Sequence, residues 1–310
     1  MRISPARYRL VTAVALGLLI VIVITGAAVR LTGSGLGCDD WPNCNDERLI
    51  DVSSNHSAIE QVNRLFTGLV AAAVIAAVLG SLWRQPRRRD LTRLSLGLVA
   101  GVLGQIVLGG ITVLVDLHPL AVQGHMLLSM VLVATAVVLL RRAGEPDDGR
   151  RRPVVTEPTR RLVWALGTAT AIAIVAGTVV TGAGPHAGDE DVQRFDVAIS
   201  SAARIHGITV MIAIALAVVV AWRVQRVPTD RRVLQGPVSS WIFIALLQAA
   251  VGYIQYFNDV PALLVGLHVA GATALWAMTV WLVLSTSRSV PPVTADGRGH
   301  VAGLVPSRST

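Results

Sequence analysis

The sequence predicts an all-α, polytopic membrane protein: eight transmembrane helices in two repeated four-helix bundles, with both ends of the chain cytoplasmic. Three observations predict it. The 310 residues are 53% hydrophobic and only 15% charged, with a mean hydropathy of +0.61, far from an ordinary water-soluble composition. Eight apolar runs are each close to the ~20 residues that cross the hydrocarbon core of a bilayer. One arrangement is also written twice: Gln105, Gly109 and His125 recur 143 residues later as Gln248, Gly252 and His268, each set spanning a turn with a proline, Pro119 or Pro261. Such self-similarity marks a duplicated unit.

The runs cover residues 11–31, 64–83, 94–115, 120–140, 162–182, 202–222, 238–257 and 261–284. Met1–Leu10 followed by the first run imitates a signal peptide, but the run is too long and no small-residue cleavage site follows, so it reads as the first span. All 27 basic residues are arginine. With the N-terminus inside, 22 of them fall on the cytoplasmic side and only Arg30, Arg48, Arg64, Arg194 and Arg204 lie outside. That bias sets both ends inside and an even number of spans. The net charge of +8 is then a matter of topology and of attraction to the lipid bilayer's anionic heads, not a nucleic-acid patch. The chain divides into a first bundle (1–141), a cytoplasmic linker (142–161), a second bundle (162–285) and a Pro/Gly/Arg-rich tail expected to be disordered (286–310).

In chain order, span 1 leaves through Thr32-Gly33-Ser34-Gly35 and span 5 through Thr181-Gly182-Ala183-Gly184, reinforcing the repeat. The first outer loop holds the only two cysteines, Cys38 and Cys44. Outside the cytoplasmic membrane a structural disulfide is the favoured reading. A pair exchanging electrons with a thioredoxin-like partner is the alternative, and a metal site the weakest, because no second ligand pair accompanies them. At the head of span 2, Glu60 and Asn63 share a helical face with His56 one turn earlier. The bland reading is a polar helix entrance. Against it stands the matching place in the second half, where Arg204-Ile205-His206 heads span 6; an ionisable residue near a span's outer end is a functional candidate.

Of seven histidines, only His125, His206 and His268 lie inside spans, all within about two turns of the outer surface. A lone intramembrane histidine is usually a packing residue, but three at one depth, two of them repeat-related, point to ligation. A haem iron accepts imidazole on either axial face, and the macrocycle fills apolar space between helices. His206 and His268 would form a complete pair, whereas the first half offers Asn63 and His125. One closed site and one open site implies electron transfer in one half and chemistry in the other.

These residues carry a resemblance. The chain resembles the haem A synthases, eight-span enzymes that convert haem O to haem A for cytochrome oxidases, over about residues 8–285. The matching marks are Cys38 and Cys44, the Glu60 segment, His125-Met-Leu-Leu-Ser129, Gly184-Pro-His-Ala-Gly-Asp189, His206 and His268-Val-Ala-Gly-Ala-Thr273. The resemblance implies that His206 and His268 ligate a resident haem b, that His125 binds the iron of haem O, that Glu60 is the catalytic carboxylate and that the cysteines form a loop disulfide. It further implies a location in the cell membrane with the active side extracytoplasmic, and as partners haem A, a haem O-producing farnesyltransferase and terminal oxidase assembly factors. Many relatives carry histidine where this chain has Asn63, which leaves His125 as the substrate ligand. Two readings from other classes compete: a di-haem b-type electron-transfer cytochrome, expected to have two closed axial pairs, and a haem transporter or assembly protein, expected to have broken helices and a polar path to both faces. Gln105 and Gln248 are expected to act as hydrogen-bonding glue between helices.

Overall fold

The computed structural model describes residues 2–147 and 149–290, and among these the chain forms eight helices long and apolar enough to span a membrane. They are α1 (Pro5–Leu31), α2 (Asn55–Trp83), α3 (Arg89–Leu114), α4 (Pro119–Ala143), α5 (Glu157–Ala183), α6 (Ile199–Arg226), α7 (Pro228–Phe257) and α8 (Ala262–Ser285). Helices α1–α4 pack around one core and α5–α8 around another, and α1 and α4 meet α5 and α8 along the seam between them. The protein is a polytopic helical membrane protein built from two four-helix bundles.

Helix starts follow local chemistry that hydropathy cannot see. Ser54 caps α2: its hydroxyl accepts from Ser57 N, and the Ser57 hydroxyl accepts from Ser54 N, a reciprocal cap. The second helix therefore begins at Asn55, not at 64, and carries Glu60 and Asn63 inside it. Likewise α7 begins at Pro228 rather than 238, because proline suits the first helical turn. The turns before α4 and α8 are copies: Asp116-Leu117 and Asp259-Val260 all have φ between 50° and 57°, and Leu117 N donates to Thr112 O (2.9 Å) as Val260 N does to Gln255 O (2.8 Å). The repeat offset of 143 residues thus holds in backbone conformation as well as in residue identity.

One expectation is overturned. Residues 287–290 are not disordered: Ser287–Val290 pairs antiparallel with Arg150–Pro153, which lies in the connection from α4 to α5. The ladder ties the chain just past α8 to the linker, and Val154 N adds a bond to Thr286 O (3.0 Å). The rest of the expected tail, 291–310, lies outside the described residues. At the same end, Ile3 bridges to Arg84, and the buried Arg84 guanidinium meets Asp147 at 2.6 Å. The arginine-rich connections therefore gather at one end of the molecule, called the inner end below.

The halves are stitched at the opposite, outer end. Arg30 of α1 donates to the carbonyls of His186 (2.6 Å) and Thr181 (2.7 Å), and Gly35 N donates to Gly188 O (2.9 Å). His186 in turn donates from Nε2 to Val260 O (2.8 Å). The Gly184–Asp189 loop is a strap across both bundles. Deeper in the seam, Gln123 donates to Thr178 Oγ1 and Trp276 Nε1 to Met130 O, both at 2.8 Å.

Candidate functional site

The protein core occupies only part of each bundle. The buried apolar cluster of the first runs from Tyr8, Leu91 and Leu139 near the inner end up to Leu19, Val74 and Val102; that of the second joins Val163, Leu234, Trp241 and Leu282. Further out is a belt without buried side chains. In the first bundle no residue is buried between Val23 and Val29, between Gln61 and Val70, between Val102 and Gly110, or between Pro119 and Met130. The second bundle has the same gap between Ala173 and Gly182, between Ala202 and Ala213, beyond Gln248 in α7 and before Thr273 in α8. Protein interiors are close-packed, so a level at which all four helices leave every residue only partly covered is where a group other than side chain could pack. His125, His206, His268 and Asn63 all fall within the two belts.

In the second belt, the rings of His206 and His268 lie 6.3 Å apart, centre to centre, and nearly perpendicular. Two metal–imidazole bonds of about 2 Å plus a ring radius of about 1.1 Å on each side make roughly 6 Å, so the gap suits one metal ion between the rings. His206 Nδ1 donates to the carbonyl of Ala173 (2.9 Å), which fixes the tautomer and leaves Nε2 free for a ligand bond. His268 Nδ1 is buried with no partner. Glycines cradle both rings: a Cβ added at Gly177 would stand 3.1 Å from His206 Cε1, and one at Gly252 would stand 3.3 Å from His268 Cε1. These residues fit a bis-imidazole haem.

The first belt repeats half of this. A Cβ added at Gly109 would likewise stand 3.2 Å from His125 Cε1, and His125 Nδ1 is buried and unpartnered. Gln105 donates to His125 O (3.1 Å) and Ser129 Oγ (2.5 Å), joining α3 to α4 as expected of a helix-bridging amide. Its counterpart Gln248 packs on Gly271 of α8 instead, and Oε1 is buried and unpartnered in both glutamines. At the position matching His206 the copy fails. Asn63, 143 residues before His206, accepts from the Thr25 hydroxyl (2.9 Å), and the space in front of Gly26 is open. His56 is no replacement: it is exposed, with Nδ1 on Ser34 Oγ (3.0 Å).

Cys38 and Cys44 form a disulfide, which the structural and the electron-exchanging readings share and the metal reading does not. The cysteine loop closes the outer end of the first belt. Its Trp41 ring rests on Gly110 of α3, next to the glycine that backs His125. Glu60, buried, holds the loop from below: Oε2 accepts from Cys38 N (2.8 Å), and Oε1 from Arg64 Nε (2.9 Å) and Nη2 (2.7 Å). Arg64 then donates to the carbonyls of Asn43 and Asp40 (2.9 and 3.1 Å). Both carboxylate oxygens are therefore already engaged. In the second bundle the outer closure is different, with Phe195 lying on Gly182.

Reading the sequence brought together the histidines, Asn63, Glu60 and the cysteines. It missed Thr25, Arg64, Trp41, Arg30 and the Ala173 carbonyl. Thr25 had a sign, since it stands beside Gly26 at a repeated exit where the second half has Ala176. A backbone carbonyl has none.

Fold and site together define a duplicated multi-pass membrane protein whose outer belts carry imidazole. Comparison with known proteins sharpens this. The family model of the COX15-CtaA cytochrome oxidase assembly proteins matches residues 9–280, so the chain belongs to that family. It is 28% identical to heme A synthases of Listeria welshimeri and Listeria monocytogenes, over 87% of this chain and 92% of theirs. A shorter similarity, 30% identity over 55% of this chain, is to a protoheme IX farnesyltransferase of Chloroflexus aurantiacus, of which it covers 30%.

Proposed function

We propose that this chain is a haem A synthase: it oxidises the ring methyl of haem O to a formyl group, giving haem A for a cytochrome oxidase. The observation that carries the reading is the pair of unequal belts, one with two imidazoles facing at 6.3 Å and one with a single imidazole and, at the position matching His206, an amide. The names of the Listeria relatives support it. His206 and His268 hold a resident haem b, with the Ala173 carbonyl orienting the first ring. His125 holds the iron of the substrate haem O from the α4 side. A resident haem supplies one-electron chemistry that no side chain here provides. The disulfide loop, with Trp41 as its plug, keeps water from the first belt. Glu60 takes or relays the proton released as the methyl is oxidised, and Arg64 beside it is the group that balances its charge.

The arginine-rich end faces the cytoplasm and the belts face the outer side of the cell membrane, as the positive-inside bias requires. Haem O arrives from a farnesyltransferase, and the product leaves toward terminal oxidase assembly factors. The Chloroflexus similarity supports that coupling, because there a segment similar to this chain is part of a longer protein named for farnesyl transfer. Neither competing class is favoured: a di-haem cytochrome needs two closed pairs, and all eight helices run unbroken where a carrier would break them.

Glu60→Gln separates chemistry from loop anchoring. General acid–base groups contribute about 10²–10⁴-fold, so this variant should keep its bound haem b spectrum and lose haem A formation by at least about 100-fold. A loss that came only from a loosened loop would also make the Cys38–Cys44 bridge easier to reduce, which is measured on the same sample. Haem A formation at the wild-type rate would remove Glu60 from the mechanism.

A further inference from the structure

We infer that the first belt holds a binding position for a small hydrogen-bond-accepting ligand, on the side of the haem away from His125, lined by Asn63, Thr25 and the open face of Gly26. This rests on the proposed haem site around His125 and goes beyond it. Matching positions of the two belts differ, at an offset of 143 residues between α2 and α6 and of 151 between α1 and α5. In the second belt, three groups on α5 and α6 make a closed side: His206 fills the space, Ala173 O takes its Nδ1 proton, and Gly177 makes close contact with the ring. Each has a first-belt counterpart with its function changed. Asn63 replaces His206 and is too short to bring a basic nitrogen as far from its helix. The Ile22 carbonyl, matching Ala173, is approached by the Thr25 hydroxyl (3.3 Å) instead of by an imidazole. Gly26, matching Gly177, meets nothing within 4 Å.

What remains is polar and directed. With Asn63 Oδ1 taken by Thr25, its amide nitrogen has two protons and no acceptor among the described residues. The wall opposite His125 is therefore a hydrogen-bond donor set in apolar surroundings, beside room that the second belt does not have. A donor so placed favours small ligands that carry negative charge or a lone pair, such as azide, hydroxide or dioxygen, over a neutral non-acceptor. It also explains why an amide, rather than leucine, stands where the imidazole is missing.

The test uses the full-length protein loaded with two haems per chain and reads ligand binding by absorption, apart from turnover. Carbon monoxide should bind the reduced protein, and azide the oxidised protein, at one haem of the two. Asn63→His should abolish both and add a second six-coordinate, low-spin signal, while the resident haem spectrum reports that the variant is folded. Asn63→Leu should keep carbon monoxide binding within about 3-fold and weaken azide about 10-fold, the scale of one hydrogen bond to a charged group. Equal azide affinity in wild type and Asn63→Leu would overturn the donor. Two bound haems that both refuse carbon monoxide and azide would overturn the open position. A chain that takes up one haem only would instead overturn the two-site reading beneath it.

Discussion

The two belts share one frame and differ on one wall. Gln105, Gly109 and His125 repeat in register as Gln248, Gly252 and His268, down to the left-handed turn that precedes α4 and α8. Across from them, α2 offers an amide hydrogen-bonded to threonine and α6 an imidazole hydrogen-bonded to a backbone carbonyl. On the proposed function this difference separates a resident group from a substrate. His206 and His268 would give a resident haem two axial bonds, whereas a substrate haem, which has to leave after reaction, would in this chain be held by His125 alone. The duplicated architecture would supply both by altering one helix of one copy.

The largest effect should come from breaking the closed side. On the proposed function His206→Ala and His268→Ala would each remove one of the two imidazoles that hold the resident haem, so the purified protein should lose most of its haem b. His125→Ala should leave that pigment in place and abolish haem A formation. Extraction and identification of the pigment in the three variants is sufficient. If His125→Ala were to strip haem b as completely as His268→Ala, the division into a holding half and a reacting half would be wrong.

Next in size is the closure over the open belt, which only the first half has in disulfide form. Cys38 and Cys44 are six positions apart in sequence, for which loop-closure entropy contributes about 2 kcal/mol. Replacing both by serine should loosen the backbone that Glu60 and Arg64 hold, lower haem A formation, and make the loop sensitive to protease. The second half, closed by Phe195 on Gly182, should keep its haem b spectrum and its resistance to heat. Equal loss of stability in both halves would mean that the loop supports the whole molecule through the Arg30 strap.

Most of this frame was legible in the sequence, for physical reasons that also explain what was not. A bilayer forces spans to be long and apolar, so hydropathy found all eight, and an imidazole in an apolar run is costly enough to stand out. Helix starts were harder. Glu60, Gln61, Asn63 and Arg64 depress hydropathy at the head of α2, yet the Ser54 cap begins the helix nine residues before the apolar run. Asn63 was identifiable by register, but its partner Thr25 lies 38 residues away on another helix. The engagement of both Glu60 oxygens was equally hidden, because Cys38 N and Arg64 reach it only once the loop has folded back. The pairing of Ser287–Val290 with the linker depends on backbone groups, which carry no residue signature.

The smallest effect is also the finest probe of the comparison, because it changes one methyl group in each half. Gly177→Ala puts a carbon 3.1 Å from His206 Cε1 and 3.4 Å from Nδ1. The ring cannot retreat freely, since its Nδ1 is held by Ala173 O on the same helix as the new methyl. It must tilt, or α5 and α6 must part, at the roughly 1–3 kcal/mol typical of overpacking. The expected signs are a shifted low-spin signal of the resident haem and a lower temperature of haem loss. Gly26→Ala meets open space at the matching place, and there alanine gains about 0.5–1 kcal/mol of helix propensity over glycine. The protein should be no less stable, and the resident haem signal should not move. Equal shifts from the two substitutions would show that the walls at Gly26 and Gly177 are alike after all, and that the first belt is closed by something other than an imidazole.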